Sequence, residues 1–213
     1  MKETMSLLQL FALGGPFMWP LLVFSIVTLA LIVERAIYLG MQNLQVRDIH
    51  QDLLTKIESE SSSSALDYCR QMPEKRSARK TMIALLENAP LGEHRMEKAA
   101  EAEANETIRE LENGFNFLTA LAAIAPLCGF LGTVSGMIGA FRSIAEADQV
   151  NAQLVAHGIY EALITTVYGL IIAIIAMTAV NILSHIVDRF AAHLEKAICD
   201  AVNAASQKTT ASK

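Results

Sequence analysis

Cysteine, proline and aromatic residues are all scarce here. The 213 residues include three cysteines, five prolines and one tryptophan, and aromatics make up 6%. Cys69, Cys128 and Cys199 form no CxxC or paired pattern. That spacing argues against a disulfide framework or a thiolate metal site, and it fits a reducing, cytoplasmic setting. No phosphate-cradling glycine loop and no nucleophile elbow occurs, so the sequence offers no case for an enzyme. His157 is expected at an interface, and His185 and His193 on a polar helix, which leaves no histidine set for a metal. The net charge of −5 says little for nucleic acid, which demands a basic patch.

Apolar length is what the chain has. Hydrophobic residues make up 53% and mean hydropathy is +0.35. They concentrate in blocks at 16–33, 115–141 and 155–183, each long enough for the roughly 20 residues that cross a hydrocarbon core. We therefore expect an all-α integral membrane protein with three transmembrane helices, the second and third long and extending into a helical cytoplasmic portion. The remaining segments are an amino-terminal stretch 1–15, a polar segment 34–114, a loop 142–154 and a carboxyl-terminal helix and tail 184–213. The first block lacks the net positive flank of a cleaved signal peptide, since Lys2 is balanced by Glu3.

Charge orients these spans. Of seventeen lysines and arginines, eleven fall in 34–114 and four after residue 185, leaving Lys2 and Arg142 elsewhere. The positive-inside tendency then puts the polar segment and the tail in the cytoplasm, with the amino terminus and the 142–154 loop outside. Trp19 and Tyr38 flank the first span, as interfacial aromatics do, though packing explains them equally well. Apolar or small residues at Met96, Ala100, Ala104, Ile108, Leu111, Phe115 and Leu118 mark one helical face. They predict a second helix running from Met96 to Phe141. The stretch "ESESSSSAL" reads as a turn with a helix start, and Pro73 and Pro90 punctuate short helices.

Two stripes of small residues run through the second and third spans. Gly129, Thr133, Gly136 and Ala140 form one, with Gly132 and Gly136 adding a GxxxG. Gly158, Ala162, Thr166, Gly169, Ala173 and Ala176 form the other. Small residues let membrane helices approach closely where lipid supplies no hydrophobic drive. Pro126 frees a backbone carbonyl inside the second span. Counting outward from Ala147, Thr133 and Glu161 each lie fourteen residues away, so they share one depth, and Thr165 follows Glu161 by one turn. The result is a polar zone of Thr133, Glu161, Thr165 and Thr166 inside apolar helices. A carboxylate at bilayer depth costs roughly 2.5–3.5 kcal/mol on insertion scales, and such groups mark ion or proton paths. The competing readings are a glutamate that reaches outward to the headgroups and threonines that bond their own helix carbonyls.

At these residues the sequence resembles the MotA/TolQ/ExbB family. "GGPFMWPLL" followed by "ER" is similar to the first span of ExbB-type members, and "GFLGTVSGMIGAF" and "GIYEALITTVYGL" to the paired signatures of the second and third. Three spans with a long cytoplasmic segment resemble ExbB or TolQ more than MotA. The resemblance implies a homopentamer in the bacterial inner membrane whose second and third helices line a pore. That pore would hold the single helices of an ExbD- or TolR-like partner and pull a TonB-like or TolA-like periplasmic linker. It further implies that Thr133, Glu161 and Thr166 are the functional polar set and that the translocated ion is H+, with Na+ open. Membrane lipid is the other partner expected, nucleic acid is not, and no cofactor is implied. Thr165 beside Thr166, and Tyr168 one turn on, depart from the family pattern. A small-molecule transporter would call for inverted repeats, which are absent from the sequence; a purely structural scaffold is the third alternative.

Overall fold

The computed structural model describes residues 14–59, 62–146 and 152–211. Residues 1–13, Glu60–Ser61 of the serine-rich turn, and Ala147 at the centre of the 142–154 loop lie outside the described residues. Seven α-helices are described: α1 Met18–Met41, α2 Arg47–Ser59, α3 Ser62–Gln71, α4 Ala78–Glu87, α5 Glu93–Glu112, α6 Phe115–Glu146 and α7 Ala152–Ala211. A 3-10 turn at Ala89–Leu91 carries Pro90. Among the described residues, the sole extended pairing is an isolated bridge between Asn43 and Arg76. The all-α class is therefore as expected. Three helices, α1, α6 and α7, are long and apolar enough to cross a membrane, with mean window hydropathies of 2.0, 2.0 and 2.3.

The chain forms two compact units. The first comprises the chain up to Glu34 together with Gly114–Asn181. Its core is Met18 and Leu21 of α1, Ala125 of α6, and Ile164 and Ile172 of α7, with Phe24, Cys128 and Tyr168 packed around them. Outside that core the unit is apolar on its surface: Phe117, Phe130, Ile138 and Ile174 are each more than 60% exposed. In water such a surface would be untenable; in lipid it is the solvated face.

The second unit is Arg35–Asn113 with Ile182 onward. Here the apolar residues recur at helical spacing and are buried: Val46 just before α2, with Ile49, Leu53 and Ile57 on it; Met82, Leu85 and Leu86 on α4; Met96, Ala100 and Ala104 on α5; Val187, Phe190, Leu194 and Ala201 on α7. This is an aqueous helical core, driven by burial of apolar area. Asn43 N donates to Lys75 O at 2.9 Å, tying the loop after α1 to the turn before α4.

Two expectations fail. The helix predicted from Met96 to Phe141 is not continuous. It stops at Asn113, whose ψ of 133° leaves the helical region, and Gly114 takes φ +88°. An L side chain rarely adopts that angle, so glycine ends one helix and α6 begins afresh. The buried face of α5 also carries Thr107 rather than Ile108. Alternation of three- and four-residue steps decides this, and the apolar pattern alone misplaces it by one residue. The third span, by contrast, runs as one 60-residue helix into the second unit.

Candidate functional site

Helices α6 and α7 pack antiparallel, and glycine sets their separation. A Cβ on Gly169 would lie 2.5 Å from Ala125 O, on Gly129 2.7 Å from Thr165 O, and on Gly158 2.7 Å from Ala140 Cβ. At Gly136 it would meet Ala162 Cβ at 3.0 Å, and at Gly132 it would overlap the Thr165 side chain. Backbone therefore sits against backbone along the whole seam. The contact line on α6 passes through Ala125, Gly129, Gly132 and Ala140, and on α7 through Ala162, Thr165, Gly169, Ile172 and Ala176. Gly132 and Thr165 occupy it where the stripe reading had put Thr133 and Thr166, and Ile172 where it had put Ala173. Steps of four and three fit either residue of each pair, and the rotation of the helix selects between them.

The threonines are consequently divided. Thr165 is buried at 1% exposure. Its hydroxyl lies 2.7 Å from Ala162 O, one turn back, and 3.1 Å from Gly129 O across the seam. Thr166 donates to the same Gly129 carbonyl at 3.2 Å. Two hydroxyls thus converge on one carbonyl, and the pair ties α7 to α6. Such bonds average about 0.6 kcal/mol in membranes. Thr133 instead donates to Phe130 O in its own helix at 2.6 Å. The structure brings Thr165 and Thr166 together and turns the Thr133 hydroxyl to its own backbone.

Glu161 faces elsewhere again. It is half-buried and lines a cleft of about 310 Å³ together with Ser135, Gly136, Gly139, Ser143 and Gly158, closed on another side by Gly14, Pro16 and Phe17. A Cβ on Gly15 would overlap the Glu161 carboxylate, and Gly15 also takes φ +65°. The backbone angle restricts position 15 to glycine, and an alanine there would also have to displace the Glu161 carboxylate. The cleft has room for several water molecules and is walled by hydroxyls and bare backbone, so a carboxylate there keeps polar surroundings. Gly15, Ser135 and Ser143 were missed by sequence reasoning. The "GGP" run was read as a mark of resemblance, and its contact with a residue nearly 150 positions away had no sequence signal. Arg142, near the end of α6, pairs with Glu146 at 2.8 Å.

Residues 70–196 match the MotA/TolQ/ExbB proton channel family. An ExbB-like protein of Synechocystis sp., ExbB-like 1, is 32% identical over 204 residues, covering 90% of this chain and 78% of the relative. The biopolymer transport protein exbB1 of Vibrio cholerae is 28% identical across 89% of this chain and 84% of its own length. The Tol-Pal system protein TolQ of Haemophilus influenzae is 46% identical, but over 80 residues, 38% of this chain and 35% of the relative.

Proposed function

We propose that this chain, which belongs to the MotA/TolQ/ExbB proton channel family, is the multi-pass subunit of an ion-driven motor of the bacterial inner membrane. It works as a homo-oligomer, a pentamer on the family pattern, around the single membrane helices of an ExbD- or TolR-like partner. The amino terminus is periplasmic and the carboxyl terminus cytoplasmic. The observation that carries the reading is Glu161: a half-buried carboxylate inside an apolar block, facing a hydroxyl-walled cleft. Intramembrane carboxylates so placed serve ion or proton passage.

In this reading the ion, H+ by preference and Na+ as the alternative, crosses beside a carboxylate on the partner helix. Neutralising that carboxylate weakens its hold on a pore-wall hydroxyl and lets the helix shift. A membrane potential of 100 mV supplies about 2.3 kcal/mol per charge, enough to displace one or two hydrogen bonds. Thr133 and Thr166 line the path; Thr165, buried in the seam, holds α6 and α7 in register for it. Glu161 tunes the field and keeps the cleft wet. The shift then pulls a TonB-like linker and energises uptake across the outer membrane.

The extent of similarity to exbB1, across 89% of the chain, favours uptake. The higher identity to TolQ over 80 residues is the observation behind a second reading, a TolA-linked envelope-maintenance motor. The test is energised uptake in cells carrying Glu161→Ala or Thr166→Ala, with assembly followed in parallel. We expect uptake to fall at least tenfold with assembly retained. Full uptake in both variants would remove the assigned roles.

A further inference from the structure

The second unit carries two clefts of opposite charge on the two flanks of α7. One, of about 1280 Å³, is lined by Arg47, His50, His185, Arg189, His193 and Lys196, and among the described residues no carboxylate lines it. The other, of about 510 Å³, is lined by Glu93, Glu97, Glu101 and Glu195; among the described residues no cation lines it, though Glu101 pairs with Lys98 at 2.6 Å beside it. With 3.6 residues per turn, the α7 residues facing the first centre about 160° from those facing the second. His50 already has a partner, Asp200 at 3.0 Å. Arg47, Arg189 and Lys196 have no carboxylate partner among the described residues.

We propose that the acidic edge of α5 in one copy of this chain docks into the basic cleft of the next copy. Glu93, Glu97 and Glu101 recur every fourth residue, so they form one row along α5, about 12 Å long at 1.5 Å per residue. Arg189 and Lys196 are about 10 Å apart along α7 by the same rise. The two rows match in length and oppose in sign. Sites on opposite flanks of one helix cannot pair reciprocally across a two-fold axis through both. They give a head-to-tail contact, and a head-to-tail contact that closes makes a ring. Each copy would then offer one flank to each neighbour, and the cations left without partners in the single chain would gain them. The inference rests on the homo-oligomer of the proposed function and assigns the contact that registers it in the aqueous portion.

The test uses the full chain in nanodiscs, with assembly measured by mass photometry on three variants. Arg189→Glu with Lys196→Glu makes both flanks acidic; Glu97→Lys with Glu101→Lys makes both basic. Each should weaken assembly about tenfold or more, since attractive pairs become repulsive ones. The variant carrying all four changes should reassemble, which a misfolded chain would not do. Differently tagged copies of the two reversed variants should also capture each other when mixed. Assembly of both reversed variants at the wild-type level, or failure of the four-change variant to recover, overturns the proposal. So does intact assembly accompanied by loss of co-purifying phosphatidylglycerol from the Arg189→Glu, Lys196→Glu variant, which would give the basic cleft to lipid. A wild-type chain that is monomeric would sink the oligomer of the proposed function as well, whereas an oligomer blind to these charges sinks this contact alone.

Discussion

Replacing Gly129 by alanine adds one methyl group at a close approach of α6 and α7 where two hydroxyls also converge. That methyl would stand 2.7 Å from Thr165 O and 3.0 Å from Thr166 Cα. Both are backbone atoms and cannot rotate away, so the helices must separate. Overpacking of this kind costs about 1–3 kcal/mol. Separation also lengthens the bonds from Thr165 and Thr166 to the Gly129 carbonyl, 3.1 and 3.2 Å in the native seam, losing about another 1 kcal/mol for the pair. Alanine's better helix propensity returns about 0.8–1.0 kcal/mol. Gly139→Ala on the same helix is the matched control, because nothing lies within 4 Å of its added methyl. The propensity gain is common to both variants and cancels. Gly129→Ala should therefore be less stable than Gly139→Ala by about 1–4 kcal/mol. Denaturation by graded SDS in mixed micelles, followed by loss of helical ellipticity, measures that difference. Equal midpoints would mean that the glycines do not set the separation of the helices.

Gly15→Ala should destabilise the first unit by about 1–3 kcal/mol, through its positive φ and its contact with Glu161. Adding Glu161→Ala should relieve the contact part, so the double variant falls short of additivity in the same SDS titration. Burial pushes the Cys69 thiol up to about 11, while Cys199 is exposed. At pH 7.5 a maleimide should label Cys199 within minutes and leave Cys69 unmodified, and raising the pH to 9 should not bring Cys69 level with it; equal labelling would refute the packing of α3. The Tyr68 phenol is pushed up to about 12, chiefly by its 2.6 Å hydrogen bond to Asp52. Because the phenol's folded pKa is raised, its stabilising effect is complete below pH 10 and fades as pH rises toward 12. Asp52→Asn should bring its ultraviolet titration step back toward pH 10.

How much of this could be read from residues alone follows the range of each interaction. The three apolar blocks depend on local composition, and α1, α6 and α7 cover them. The break at Gly114 was visible as a glycine, but a helix interior tolerates glycine at a modest cost, so the residue alone did not announce its φ of +88°. Within the seam, small residues identified which helices approach each other. They did not identify which of two adjacent threonines enters, because periods of three and four leave neighbouring positions nearly degenerate. One step of rotation separates Thr165, at 1% exposure, from Thr166, which reaches the same carbonyl from the edge. The contact of Gly15 with Glu161 is non-local, and its logic lies in an absent side chain.

That absent side chain bears on the cost of the carboxylate itself. Lone burial of an ionised glutamate in hydrocarbon would be prohibitive, and the usual compensation is a cation. Arg142, also on α6, is already paired with Glu146 at 2.8 Å. What surrounds Glu161 instead is missing bulk: Gly14, Gly136, Gly139 and Gly158 around a cleft of about 310 Å³, with two serines in its wall. Polar space does the work that a counter-charge does elsewhere. Among the described residues no lysine or arginine lines this cleft. The glycines that bring α6 and α7 together and those that leave room beside Glu161 are therefore parts of one arrangement: close contact along the seam, and an opening beside Glu161.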